Sequence, residues 1–137
     1  MQKFFFLIFF AFQLSVHAES KEWTLIHIDK IQKISFFVSL GNFSLINNKT
    51  RMWVMENFEQ VQQVEHLKYS STKSLVQFDC KLNKMRILAY SLHKRPNAIG
   101  NAIFNKNVAL EWNKIKKNSI NEAYQNIACQ EALAKNI

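Results

Sequence analysis

A chain of 137 residues carrying 18 Lys and Arg against 10 Asp and Glu is long enough for one hydrophobic core, and its net charge of +8 favours anionic partners. Two glycines and one proline exclude a Gly-rich phosphate loop and a Pro/Gly/Ser linker, and no repeat or low-complexity tract divides the chain.

Residues Met1 to Ala18 (MQKFFFLIFFAFQLSVHA) place Lys3 ahead of an apolar run from Phe4 to Phe12, and Val16-His17-Ala18 puts small residues where a signal peptidase needs them. The run is shorter than the roughly 20 residues that span a bilayer core. These features predict a cleaved signal peptide over 1–18 and a single mature domain over 19–137. No cysteine near the cleavage point supplies a lipid-attachment signature. Cleavage removes only one charge, Lys3, so the mature chain keeps 17 cations against 10 anions, a net +7. Export to the periplasm or the outer surface argues against a nucleic-acid role.

An exported chain matures where a cysteine pair persists, and Cys80 and Cys129, 49 positions apart, allow one intramolecular pairing. The chain-entropy account puts such a bond at about 4 kcal/mol. The alternatives are two unpaired thiols in an unexported chain and a catalytic nucleophile, the latter lacking any base or orienting partner in the sequence.

Thr24 to Ile28 (TLIHI) alternates and predicts an edge-like first strand. Ile34 to Leu40 (ISFFVSL) is β-branched and aromatic, and with Gly41-Asn42 as the turn and Phe43 to Ile46 as the return it reads as a hairpin. Thr50 to Phe58 follows an Asn47-Asn48-Lys49 turn; Met52, Val54 and Glu56 share one side and Trp53 and Met55 the other, as in a central strand. Glu59 to His66 spaces Val61, Val64 and Leu67 by three, consistent with a helical turn or an irregular connection. From Ser74 the alternation sets Val76, Phe78, Cys80 and Leu82 inward. An Asn83-Lys84 turn into Met85 to Leu92 then pairs Leu82 with Met85 and Cys80 with Ile87. His93 to Asn101 reads as a loop, and Ala102 to Leu110 as one or two short extended pieces. Ser119-Ile120-Asn121-Glu122 is a capping box that starts a helix with Ile120, Ala123, Tyr124, Ile127 and Ala128 on one face. Cys129 falls opposite Ile120, so the helix ends near it, distorts, or is covered on two sides.

No pattern marks a catalytic or metal site. His27, His66 and His93 are dispersed, and the carboxylates Glu56, Glu59, Asp79 and Glu111 form no pairing that spacing reveals. The chain is therefore read as a non-enzyme needing no cofactor. Trp23, Trp53, Trp112 and the phenylalanines of 36–78 suit either the core, which is the preferred reading, or ligand stacking. Short basic runs at His93-Lys94-Arg95 and at Lys114, Lys116 and Lys117 suit sulfated glycan or lipid phosphate if they are more than solvated charge.

The order of features resembles the bacterial surface-adhesin protein E-like family. It is carried by Ile28-Asp29 with Ile31, Arg51-Met52-Trp53-Val54, the segment Thr72 to Cys80 ending in Phe78-Asp79-Cys80, Met85-Arg86-Ile87-Leu88, and the late Trp112 and Cys129. It covers nearly all of residues 23–130. Lys117-Asn118-Ser119 stands where the family often has Pro-Gly-Ser, and the Gly41 to Asn48 segment is differently turned. The resemblance implies an α+β fold, an antiparallel sheet of about six strands with a C-terminal helix packed on one face and tethered by the disulfide. It also implies binding, with attachment to host matrix proteins. The functional expectation is an exported, adhesin-like binding protein whose partners are host matrix proteins or anionic glycans, with a second copy as a further partner through a free sheet edge. A periplasmic carrier or inhibitor holding a small anionic aromatic ligand such as haem is the alternative. No ligand-binding residue is assigned.

Overall fold

The computed structural model describes residues 22–41 and 43–135, so the signal peptide expected over 1–18 lies outside the described residues. Within the described residues seven strands form: β1 (Thr24–Asp29), β2 (Ile34–Val38), β3 (Lys49–Val64), β4 (Leu67–Asp79), β5 (Lys84–His93), β6 (Phe104–Lys106) and β7 (Asn113–Lys114), followed by helix α1 (Ile120–Lys135). They make one antiparallel sheet in the order β1-β2-β3-β4-β5-β6, with β7 also paired to β5. β1 lies at the edge and β3 in the middle, as the alternation of their side chains indicates. The α+β architecture, with one C-terminal helix tied down by the Cys80–Cys129 bond, agrees with expectation.

One face of the sheet is apolar because Phe36, Val38, Met52, Val54, Val76 and Phe78 occupy alternate positions of β2, β3 and β4. Tyr124, Ala128 and Ala132 of α1 close over them, and Phe43 seals the end near the helix C-terminus. The two alanines let the helix backbone approach the sheet. Each fully buried large side chain, such as Phe78 or Met52, contributes about 1.5–3 kcal/mol.

Three expectations are corrected, and one set of alternatives is narrowed. Phe43 to Ile46 is not a return strand. After β2 the chain follows β3 only as far as the Ser39 N–H to Trp53 carbonyl bond, at 3.0 Å, then drops Phe43 into the core, where the Lys135 ammonium lies 5.3 Å from its ring. Glu59 to Val64 is not a helical turn or a connection between elements; it continues β3 through a register shift between Asn57 and Gln62, and a Glu65-His66 turn sends the chain straight into β4.

The β4–β5 register differs too. Phe78 pairs with Met85 and Val76 with Ile87, leaving Cys80 to Asn83 as a four-residue turn with Leu82 exposed. Finally, α1 neither ends nor distorts at Cys129. Its buried stripe is centred on Tyr124, Ala128 and Ala132, and at about 100° per residue Cys129 lies about 60° from Ala132. Cys129 borders that broad stripe on one side as Ile120 does on the other. Half of the capping box forms: the Glu122 N–H donates to Ser119 Oγ at 3.3 Å, while the Glu122 carboxylate reaches past the N-cap amide and accepts from the Asn118 N–H at 3.3 Å.

Candidate functional site

The two cysteines come together at the top of the sheet. Asp79 ends β4 and its Oδ1 accepts from the N–H groups of Lys81 and Leu82 at 3.0 and 2.9 Å, shaping the turn that begins with Cys80. Gln125 of α1 donates to Asn83 Oδ1 at 2.9 Å and to the Asp79 carbonyl at 3.5 Å, and one helical turn later Cys129 bonds Cys80 with their Cα atoms 5.8 Å apart. Phe78-Asp79-Cys80 is thus a core anchor, a turn cap and a staple in consecutive positions. With both sulfurs bonded, neither cysteine is a nucleophile.

The face of the sheet away from α1 is different in kind. Register places Arg51, Gln77 and Arg86 in one cross-strand row, Trp53, Leu75 and Ala89 in the next, then Met55, Lys73 and Ser91, then Asn57, Ser71 and His93. Arg86 Nε donates to Gln77 Oε1 at 2.8 Å while its guanidinium lies 4.6 Å from the Trp112 ring; the Lys73 ammonium lies 5.2 Å from the Trp53 ring. Cation–aromatic contacts of this kind hold the charges at the surface without neutralising them. Among the described residues the one ion pair is Lys49–Asp79, at 3.8 Å. Arg51, Lys73 and Arg86 therefore face outward with no carboxylate on them.

Two hollows flank this face. Lys49, Arg51 and Gln77 line one of about 480 Å³ together with Ser44 and Ile46. The other, about 330 Å³, is lined by Trp53, Lys73, Ser91 and His93 of the central strands and bordered by Asn101 and Asn105. His93 is only 4% exposed; its Nε2 meets Ser91 Oγ at 2.9 Å and its Nδ1 has no partner. Burial, then the nearby Lys73 charge, push its pKa below the ordinary imidazole value, with the Gly100 backbone opposing them. On the helix side, burial raises the Glu56 pKa, and burial together with Glu56 raises that of the Tyr124 phenol, whose hydroxyl has no partner.

Two readings of candidate residues change here. Trp53 and Trp112 do not fill the core; they lie half-buried on the opposite face under cations, while Phe36, Phe43 and Phe78 do pack inside. The basic run His93-Lys94-Arg95 divides, His93 turning inward while Lys94 and Arg95 stay exposed, and Lys114, Lys116 and Lys117 stand exposed before the helix. The cations Arg51, Lys73 and Arg86 escaped notice because each sits singly in its own strand. Their signal was positional: each occupies an outward position in a strand whose inward positions are apolar. Of the histidines, His27 stacks on Phe36 at 5.9 Å and His66 lies in the exposed β3–β4 turn.

A sheet with one face sealed by a stapled helix and the other presenting cations beside aromatic rings makes a small α+β domain. Residues 23–130 match the family of surface-adhesin protein E, and the chain belongs to that family. Neither the curated proteins nor the solved structures contain a match to it. Among the described residues no group of three or more His, Cys, Asp and Glu could hold a metal ion, and no helix is long and apolar enough to cross a membrane.

Proposed function

We propose that residues 19–137, released from a signal peptide over 1–18, form an exported, non-catalytic, adhesin-like protein that grips an anionic extracellular partner with the sheet face opposite α1. The observation that carries this is the set Arg51, Lys73 and Arg86 on one face, with no acidic neighbour in ion-pairing range among the described residues. Family membership supports a surface role, and a net charge of +8 supports an anionic partner, either a sulfated glycan or an acidic stretch of a host matrix protein. The test is retention of purified 19–137 on immobilised heparin and on matrix protein over a salt gradient. Binding that weakens steeply with salt, and that disappears in an Arg51→Ser/Lys73→Ser/Arg86→Ser variant of unchanged melting temperature, is the expected result. Unchanged binding by that variant sinks the assignment of the face.

One observation favours the carrier alternative: on the helix side of the sheet, beyond α1, Leu67, Tyr69, Tyr90, Leu92 and Phe104 line a hollow of about 350 Å³. A saturable shift of the haem Soret band that Tyr69→Ala abolishes would move the function there.

A further inference from the structure

We infer that the cavity bordered by residues 100–107 takes a single acidic sugar, its carboxylate on the Lys73 ammonium and its hydroxyls on the surrounding amide, hydroxyl and imidazole groups. This rests on the anionic-partner reading above and narrows it to a ligand class.

The cavity is built from two independent pieces of chain. Its floor is the rigid centre of the sheet, with Trp53 and Lys73 on β3 and β4 and Ser91 and His93 on β5. Its rim is the segment that leaves the left-handed Gly100, at φ 81°, and is pinned beside β5 by the Ile103 N–H to Leu92 carbonyl bond at 2.9 Å and by the β6 pairing. That rim sets Asn101 of the loop, and Asn105 of β6 opposite Ser91, along the edge of the cavity, where both line it and are available to a ligand.

The second observation is the His93 ring. It is buried, lines the cavity and spends Nε2 on Ser91; Nδ1 makes no hydrogen bond of full geometry, although the Gly100 backbone lies near enough to the ring to favour its protonated form. Buried polar atoms are nearly always partnered in folded proteins, so an orphan at a cavity wall marks a place where a ligand atom completes the bonding. Burial and Lys73 keep this ring neutral, so Nδ1 either donates or accepts according to tautomer. A sugar hydroxyl, both donor and acceptor, satisfies either state.

With His93 neutral, Lys73 is the one fixed charge in the cavity, which matches one carboxylate better than a dianionic phosphate. Asn101, Asn105 and Ser91 match hydroxyls. A volume of about 330 Å³ is at the small end of ligand sites and admits one ring, with any further units running out over the Arg86 row.

The test is calorimetric titration of purified 19–137 with methyl β-glucuronide, with the methyl glycoside of N-acetylneuraminic acid, and with methyl β-glucoside as the neutral control. We expect saturable binding of at least one acidic glycoside, about tenfold or more tighter than the neutral one, as a charge-assisted contact gives. Whichever acidic glycoside binds identifies the source, matrix glycosaminoglycan or sialylated cell-surface glycan. Lys73→Met and Asn101→Ala should each weaken it about tenfold; Asn101 is exposed, so its loss of binding would not be a folding effect. Equal binding of acidic and neutral glycosides, no binding of any, or acidic binding indifferent to both variants overturns the proposal. Heparin retention is read in parallel: if it persists while the glycosides fail, the cavity proposal falls and the cationic face stands, whereas loss of both removes both.

Discussion

Eight described non-glycine residues hold a positive φ, and five of them, Asn47, Asn48, Asn83, Asn97 and Asn118, are asparagines. That is how a chain so poor in glycine still turns: the short amide side chain tolerates the left-handed region that other side chains resist. The Asn-rich loops were legible as turns for this reason. Glu65, at φ 53° in the β3–β4 turn, has no such excuse, and Glu65→Gly should raise stability by about 1 kcal/mol in urea denaturation. A second residue-scale prediction concerns titration. Burial lifts the folded-state pKa of Glu56 above its ordinary 4.5, so the folded chain holds a proton that the unfolded chain has lost, and stability falls as pH rises through that folded value. Glu56→Gln should match the wild type in melting temperature below pH 4.5 and exceed it at neutral pH. His93 works the other way: its pKa is lowered from 6.5, so its contribution is intact above that pH and is lost as pH falls below it. The two trends oppose each other, and His93→Gln should lose less melting temperature than the wild type as pH falls below 6.5.

At the scale of elements, the β1–β2 and β4–β5 hairpins use one device. In each, an Asp at the strand end, Asp29 or Asp79, accepts from the backbone N–H groups two and three residues on, and a residue in the left-handed region, Lys33 or Asn83, closes a four-residue loop. This is why alternation misled at Val76-Phe78-Cys80-Leu82. The apolar pattern runs on past Asp79, but the carboxylate captures the next two amides before they can pair in a ladder, and the local turn prevails over the pattern. The strands themselves were legible because their inward positions carry the core. Phe43 was not, since a loop residue enters the core only through the distant helix C-terminus that it meets. Asp79 is buried, paired with Lys49 and held under Gln125, whereas Asp29 caps an exposed turn. Asp79→Ala should accordingly cost about 2 kcal/mol and Asp29→Ala less than about 1 kcal/mol, with Asp79→Asn recovering most of the loss.

In the whole molecule, one helix can seal only one face of a seven-stranded sheet, and the other face is left to the long segment between β5 and α1 and to solvent. The staple and the proposed contact surface thus lie on opposite sides. Cys80→Ala/Cys129→Ala removes a link spanning 49 positions and should lower stability by about 4 kcal/mol, read from the urea midpoint. The core beneath α1 and the Gln125 contacts remain, so at low temperature the double variant should still be folded. The Arg51, Lys73 and Arg86 side chains are positioned by sheet register, which does not depend on the helix. Heparin affinity of the folded variant should therefore stay within about twofold of the wild type even as its midpoint falls, because distant sites with no shared partners act independently. A large loss of affinity in a variant that remains fully folded would mean instead that helix docking sets the twist of the sheet and, through it, the spacing of the cations on the far face.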